Sequence, residues 1–182
     1  IGSRDLSKAQ ETAVHLGSDS SAGMLNIDAA NSCEIACLTV PFAHQESTLL
    51  SIEDGLANKI MIDATVPLMP PKVMRVQLPK IGSAALNAQA ILGENTTVVS
   101  AFQNISAELL QTDADIDCDV LVAGDLIDAR NTVIELAADA GLTGWHAGPL
   151  CNSVAAEALT SILIAINKKH SLAHSGIKIT GH

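Results

Sequence analysis

Short, nearly continuous apolar runs alternate along this chain with stretches whose apolar residues recur at helical spacing. The runs predict strands at Glu34–Val40, Lys59–Asp63, Thr96–Ala101, Asp119–Ala123 and Thr143–Ala147. Between them the pattern predicts helices at Gln45–Leu56, Ser83–Leu92, Asp128–Ala140 and Leu150–Asn167. At the start, Ile1–Ser3 reads as the end of a strand, and Asp5–Leu16 as a helix stopped by Gly17. Met24–Ile27 reads as a short strand, Asp28–Ser32 as a short helix capped by Asp28, and Ile177–Thr180 as a last short strand. Strict strand–helix alternation is the pattern of an α/β fold with a buried parallel sheet.

One stretch breaks the alternation. Ala64–Gly82 contains Pro67, Pro70, Pro71 and Pro79, so it forms neither a continuous helix nor a central strand. A loop of that length in a compact domain is usually functional, for example as a lid over a site. No internal repeat and no linker divides the chain, so 1–182 is expected to form a single domain.

Composition narrows the function classes. Hydrophobic residues make up 48% and charged residues 16%, which marks a globular chain. The formal net charge of -10 and the aromatic content of 2% argue against nucleic acid, which needs basic surface and stacking platforms. No apolar run approaches the roughly 18 residues of a membrane span. The four cysteines, Cys33, Cys37, Cys118 and Cys151, read as small core residues of a reduced cytosolic protein. A metal site at Cys33 and Cys37 would need two further ligands, which Glu34, Ile35 and Ala36 do not provide in the usual pattern, so no metal is expected.

The most informative chemistry lies at the first strand end. In a dinucleotide-binding fold the second strand ends beside the adenosine ribose, where an acidic residue selects NAD and a small polar residue followed by Arg selects NADP. Here the strand ends Gly2-Ser3-Arg4, with Lys8 one helical turn on. Arg4 offers a planar fork to a 2′-phosphate, Lys8 a point charge and Ser3 a hydroxyl. A helix starting at Arg4 would add free N–H groups. A solvated helix start is the ordinary alternative. No Gly-x-Gly occurs in the chain, so the pyrophosphate loop is expected upstream, in a first βα unit of roughly 30 residues. The chain opens without Met, inside what reads as a strand, and is expected to lack that unit.

Three further segments sit where strands end or helices begin. Leu38-Thr39-Val40-Pro41-Phe42-Ala43-His44 turns at the C-terminal edge of the sheet, placing Thr39, Val40 and Pro41 to contact ribose or nicotinamide. An ordinary strand terminator explains it as well, and His44 reads as a helix-start residue. In Val99-Ser100-Ala101-Phe102-Gln103-Asn104, the amides of Gln103 and Asn104 can orient a carboxamide or ring carbonyl, or simply form a polar turn. Gly148-Pro149 opens the last helix, whose Asn152, Thr160, Leu163 and Ile164 can hold a flat ring, or line an unexceptional core helix.

Taken in order, Gly2-Ser3-Arg4 with Lys8, Leu-Thr-Val-Pro, Val-Ser-Ala-Phe-Gln-Asn, Ala-Gly-Pro-Leu-Cys-Asn-Ser, Glu-Ala-Leu-Thr and the closing Gly-Ile-Lys-Ile-Thr-Gly resemble the F420-dependent NADP reductases. Pro67-Leu68-Met69-Pro70-Pro71-Lys72 is similar to that family's loop after the fifth strand, and the resemblance runs from Ile1 to Gly181. It departs at Ala158, where the family has Ser, and in the absent glycine loop. The resemblance implies a Rossmann-like parallel sheet with a small C-terminal helical extension, 148–182, forming a deazaflavin pocket. It implies a cytoplasmic homodimer that moves hydride reversibly between NADP(H) and coenzyme F420. Ser3, Arg4 and Lys8 would bind the 2′-phosphate, Thr39 and Pro41 would lie along NADP, and Asn152 and Thr160 near the deazaflavin. No catalytic acid or base is expected. The rival readings are a reductase of another acceptor, a flavin or ferric iron, and a non-catalytic dinucleotide-binding module.

Overall fold

The computed structural model describes residues 1–112 and 115–181. Among the described residues seven strands and six α-helices follow one another, alternating except between β5 and β6: β1 Gly2–Ser3, α1 Leu6–His15, β2 Met24–Leu25, α2 Asn26–Ser32, β3 Ile35–Leu38, α3 Gln45–Ile52, β4 Ile60–Asp63, α4 Ala84–Leu92, β5 Thr97–Ser100, β6 Asp119–Gly124, α5 Ile127–Asp139, β7 Thr143–Gly148 and α6 Ser153–His170. The strands form two sheets. β1 and β2 pair in parallel, and the larger sheet runs β3-β4-β5-β6-β7. This is the α/β, Rossmann-like arrangement that the alternation predicts, with one departure: β5 and β6 pair antiparallel, so the large sheet is mixed. The antiparallel contact is short, Val99–Gly124 and Ser100–Ala123, and among the described residues between the two strands there is only a 3-10 turn, Leu109–Gln111, with no crossover α-helix.

Two apolar clusters cover the faces of the large sheet. One joins Leu49, Leu56, Met61, Ala85, Ala88 and Val98, with α3 and α4 against it. The other joins Ile62, Val99, Val120, Val122, Val133 and Ala137, with α5 against it. Alternate strand residues thus face opposite helix layers, as the pleat requires.

Local chemistry sets several boundaries differently from the sequence pattern. Asp5 caps α1, accepting from Ser7 N–H at 3.0 Å, so the helix begins after Arg4 rather than at it. Asp28 lies inside the first turn of α2 and does not cap it; the N-cap is Leu25. Ile52 ends α3, and Glu53–Leu56 tighten into a 3-10 turn. Leu150–Asn152 likewise form a 3-10 turn ahead of α6. Ile177–Thr180 is not a strand. Asp119 N–H donates to Ile177 O at 2.8 Å, but Ile179 N–H is taken by the Asp119 side chain, also at 2.8 Å, so the ladder stops after one rung.

The cysteines also depart from expectation. Cys33 ends α2 and is half-buried, whereas Cys37 in β3 and Cys151 are exposed; of the four free thiols Cys118 alone is buried. With its 3-10 start, Leu150–His170 has the length and hydropathy (mean 1.4) of a membrane span, which the sequence pattern was not expected to supply. Its buried Glu157 and its packing on α4 and β6 make it a wall of this domain.

Candidate functional site: two openings joined by a buried acidic hub

The first opening lies between the sheets. β1 pairs with β2 and β3 with β4, and the other edges of β1 and β3 face a common groove of about 310 Å³. Ile1, Gly2, Ile35, Cys37, Thr39 and Val40 are among its lining residues. At the outer end of β1 stand Ser3, half-buried, and Arg4 and Lys8, both exposed. Among the described residues neither cation's side chain has an ion pair or hydrogen bond, although the Lys8 charge is felt by the neighbouring Asp5 carboxylate. Ser3 Oγ accepts from Asp5 N–H at 3.2 Å and keeps its own proton to donate. The expected free amides of α1 are not available, because the Asp5 carboxylate takes Ser7 and Lys8 N–H. Thr39 is exposed and Val40 half-buried on the groove wall, while Pro41 is exposed at the turn into the next helix.

The second opening is a cleft of about 300 Å³ between the loop after β5 and α6. Asn104, Ser106 and Glu108 come from the loop, Thr160, Leu163 and Ile164 from α6, and His174 from the chain beyond it. Asn104 Nδ2 donates to Ala156 O at 2.8 Å and to Thr160 Oγ1 at 3.1 Å, and the Thr160 hydroxyl donates to Gln103 O at 2.9 Å. Those bonds lock loop to helix, so Asn104 and Thr160 shape the cleft through a shared lattice. Gln103 turns the other way. Its Nε2 donates to Asp63 O at 2.7 Å and Ser100 Oγ at 2.8 Å, and its buried Oε1 has no partner among the described residues. Asn152 is not brought into the cleft; its amide donates to Ala147 O at 2.7 Å, closing the Gly148 turn.

Between the openings lies a buried polar hub absent from the sequence-based candidates. Asp63, fully buried at the end of β4, accepts from Gln45 Nε2 at 2.7 Å and Thr65 N–H at 2.8 Å. Burial pushes its carboxyl up to about 6, against the pull of the Thr65 and Gln45 hydrogen bonds. Gln45 also donates to Ala84 O and accepts from Asn87, fastening α3 to α4. Glu157, 1% exposed on α6, accepts from the first amides of α4, Ala84 N–H at 2.6 Å and Ala85 N–H at 3.1 Å. Burial pushes it up to about 7, opposed by those two amides and reinforced by the Asp63 charge. The signals were visible: a lone acid closing an apolar strand, and another within an apolar helix turn. Each marks a buried group with a partner, though neither names it.

The proline-rich loop 64–82 crosses beside this hub, where Arg75 O accepts from Ser161 Oγ of α6 at 3.4 Å. Among the described residues no group of three potential ligands is placed to hold a metal.

A cationic strand end, a groove at a sheet edge and a second cleft beside the last helix mark an α/β protein of the Rossmann-like, dinucleotide-binding class. Residues 1–67 match the family described as NADP oxidoreductase, coenzyme F420-dependent. The F420-dependent NADP reductase of Methanothermobacter thermautotrophicus is 40% identical over 99% of this chain and 83% of its own length. Its counterpart from Methanothermobacter marburgensis is 37% identical over 99% of this chain and 86% of its own. A crystal structure from Arthrobacter sp. FB24, provisionally named for the same activity, superposes with a TM-score of 0.81 over 100% of this chain and 87% of that one, at 21% identity. The chain belongs to the F420-dependent NADP reductase family.

Proposed function

We propose that this chain is an oxidoreductase that transfers hydride reversibly between NADP(H) and the deazaflavin coenzyme F420. The observation that carries the reading is the unpaired Arg4–Lys8 couple beside Ser3 at the end of β1, in a chain of net charge -10. An isolated cationic couple in an acidic protein suits a 2′-phosphate, and it answers how so negative a chain attracts that group. Family membership and the ring-sized cleft at Thr160 support the second substrate.

When bound, the nicotinamide and deazaflavin carry the redox chemistry themselves. The residues of this chain bind and orient. Ser3, Arg4 and Lys8 hold the 2′-phosphate, and Thr39, Val40 and Pro41 guide the dinucleotide along the groove, while Gln103 lines neither opening and ties the loop after β5 to the end of β4. Asn104, Thr160, Leu163 and Ile164 wall the deazaflavin cleft, and Asn152 closes the Gly148 turn ahead of α6. The 148–182 extension thus supplies one wall and the 104–108 loop the other.

The test is turnover of NADPH by the protein with F420, flavin and ferric iron as acceptors. F420-dependent turnover preferring NADPH over NADH is expected. Arg4→Ala then raises the NADPH KM by roughly 10-fold or more with kcat little changed, because the 2′-phosphate is bound equally in ground and transition states. A large fall in kcat at saturating NADPH would refute that assignment.

A homodimer in the cytoplasm belongs to the same reading. Met69, Met74, Val76, Leu78 and Ile81 of the loop and Ile162 and Ile166 of α6 are exposed, an apolar surface suited to a second copy. Ile162→Glu is expected to dissociate it, read by sedimentation; an unchanged mass would remove this face from the interface. The four free thiols agree with a reducing compartment.

A further inference from the structure

The cleft holds titratable groups for which binding and orientation alone give no role. The His174 ring lines it, with Nδ1 2.9 Å from Ser106 Oγ and Nε2 3.5 Å from Glu108 Oε2. The two partners come from the loop after β5 and the imidazole from beyond α6, 68 positions from Ser106, so tertiary structure alone assembles them. His174 sits in the left-handed backbone region at φ 58, a conformation that non-glycine residues seldom adopt. Two bonds hold it there: Ser175 N–H donates to Asn167 Oδ1 at 3.2 Å, and Ser175 Oγ donates to Leu163 O at 3.5 Å.

We propose that His174 is the proton-transfer residue of this cleft, delivering the proton that accompanies reduction of the deazaflavin. The proposal rests on the F420 reading above. Hydride from NADPH forms the new ring C–H bond, and the electron pair displaced by that bond moves to the pyrimidine edge. The imidazolium N–H of His174 breaks there, its proton forming the N–H bond of the reduced ring, while neutral imidazole and NADP⁺ remain. Glu108, whose side chain is 82% exposed, faces solvent and the ring nitrogen together, so it can return a proton from water to the imidazole. In the reverse direction the neutral imidazole accepts the proton. Ser106 fixes the ring through Nδ1 and accommodates either protonation state, since a hydroxyl both donates and accepts. Of the described residues lining the cleft, Glu108 and His174 alone titrate; α6 presents Thr160 and Asn167, which are polar and neutral.

Because the cleft is open to water, His174 accelerates the reaction without being indispensable. General acid assistance of this kind is worth about 10²-fold or more when water is excluded, so a loss of about 10-fold is expected here. The experiment compares the unaltered protein with His174→Gln, which keeps a hydrogen-bonding side chain but cannot carry the proton. Expected are a kcat about 10-fold lower with both KM values within about 2-fold, a flattened pH profile, and partial rescue by added imidazole. A second readout needs no turnover. The His174 imidazole resonances, followed by NMR, are expected to move when oxidised deazaflavin binds. A wild-type pH profile in His174→Gln, or a raised deazaflavin KM with unchanged kcat, would overturn the proposal and leave His174 as a wall of the cleft. If the unaltered protein turns over a flavin but not F420, the parent reading falls and this one with it, an outcome the variant comparison cannot mimic.

Discussion

Replacing Glu157 with Ala is expected to destabilise the protein by about 3 kcal/mol or more at neutral pH. The side chain accepts from two buried amides of the first turn of α4, and no other acceptor replaces it. Each buried donor left unsatisfied costs about 1–3 kcal/mol, and the vacated volume adds a cavity term. Glu157→Gln removes the titration, but its single amide oxygen can serve only one of the two α4 amides, so it also costs stability at every pH. The Glu157 carboxyl is pushed up to about 7, so the folded state holds the proton more tightly than the unfolded chain does. The stabilisation this gives is fully present below the ordinary carboxylate range and is lost as pH rises through about 7. Asp63, pushed up to about 6, contributes in the same direction over a lower window. Stability should therefore fall between about pH 5 and about pH 7, by on the order of 1 kcal/mol per unit from Glu157. The amide does not titrate, so it removes the Glu157 part of that slope while lowering the whole curve. Urea unfolding at a series of pH values reads both effects, and equal slopes in the wild type and Glu157→Gln would show that Glu157 does not titrate in this window.

Gly23→Ala should be nearly as damaging, for a steric reason. A Cβ at Gly23 would lie 2.3 Å from Ala9 C and Gln10 N, which are backbone atoms of α1. They cannot rotate away, so the helix itself must move off β2. A stability loss of about 2–3 kcal/mol is expected for such overpacking. Because Ser3, Arg4 and Lys8 flank the start of that helix, the Kd for NADPH should rise while that for the deazaflavin holds. Gly181→Ala, with nothing within 4 Å of its added Cβ, is the control. Unchanged melting and NADPH affinity in Gly23→Ala would mean that α1 is free to shift without cost.

How far the site was legible follows from where its information lies. Ser3, Arg4 and Lys8 were readable because a strand end, a cap and the next helical turn are neighbours in sequence. Thr160, Leu163 and Ile164 were readable for a similar reason, since residues three and four apart share a helix face. Gln103 and Asn104 show the limit. As adjacent amides they looked equivalent, yet Gln103 points inward to Asp63 and Ser100 while Asn104 locks the cleft loop onto α6. Asn152 looked like a ligand and instead closes a turn onto Ala147. The last segment, Ile177–Thr180, has strand composition, but the Asp119 side chain intercepts the Ile179 amide that a strand would need.

By itself the sequence determined the α/β class, the positions of nearly every strand and helix, the proline-rich interruption at 64–82 and the cationic strand end. Those follow from periodicity, capping and turn chemistry, all of which act over a few residues. Tertiary structure alone decided the antiparallel seating of β6 on β5, the groove between β1 and β3, and the meeting of His174 with Ser106. It alone brought Glu157 to α4, across 73 positions to Ala84. These depend on which distant surfaces meet. A carboxylate in an apolar helix announces that it needs donors, but only the packed chain supplies them.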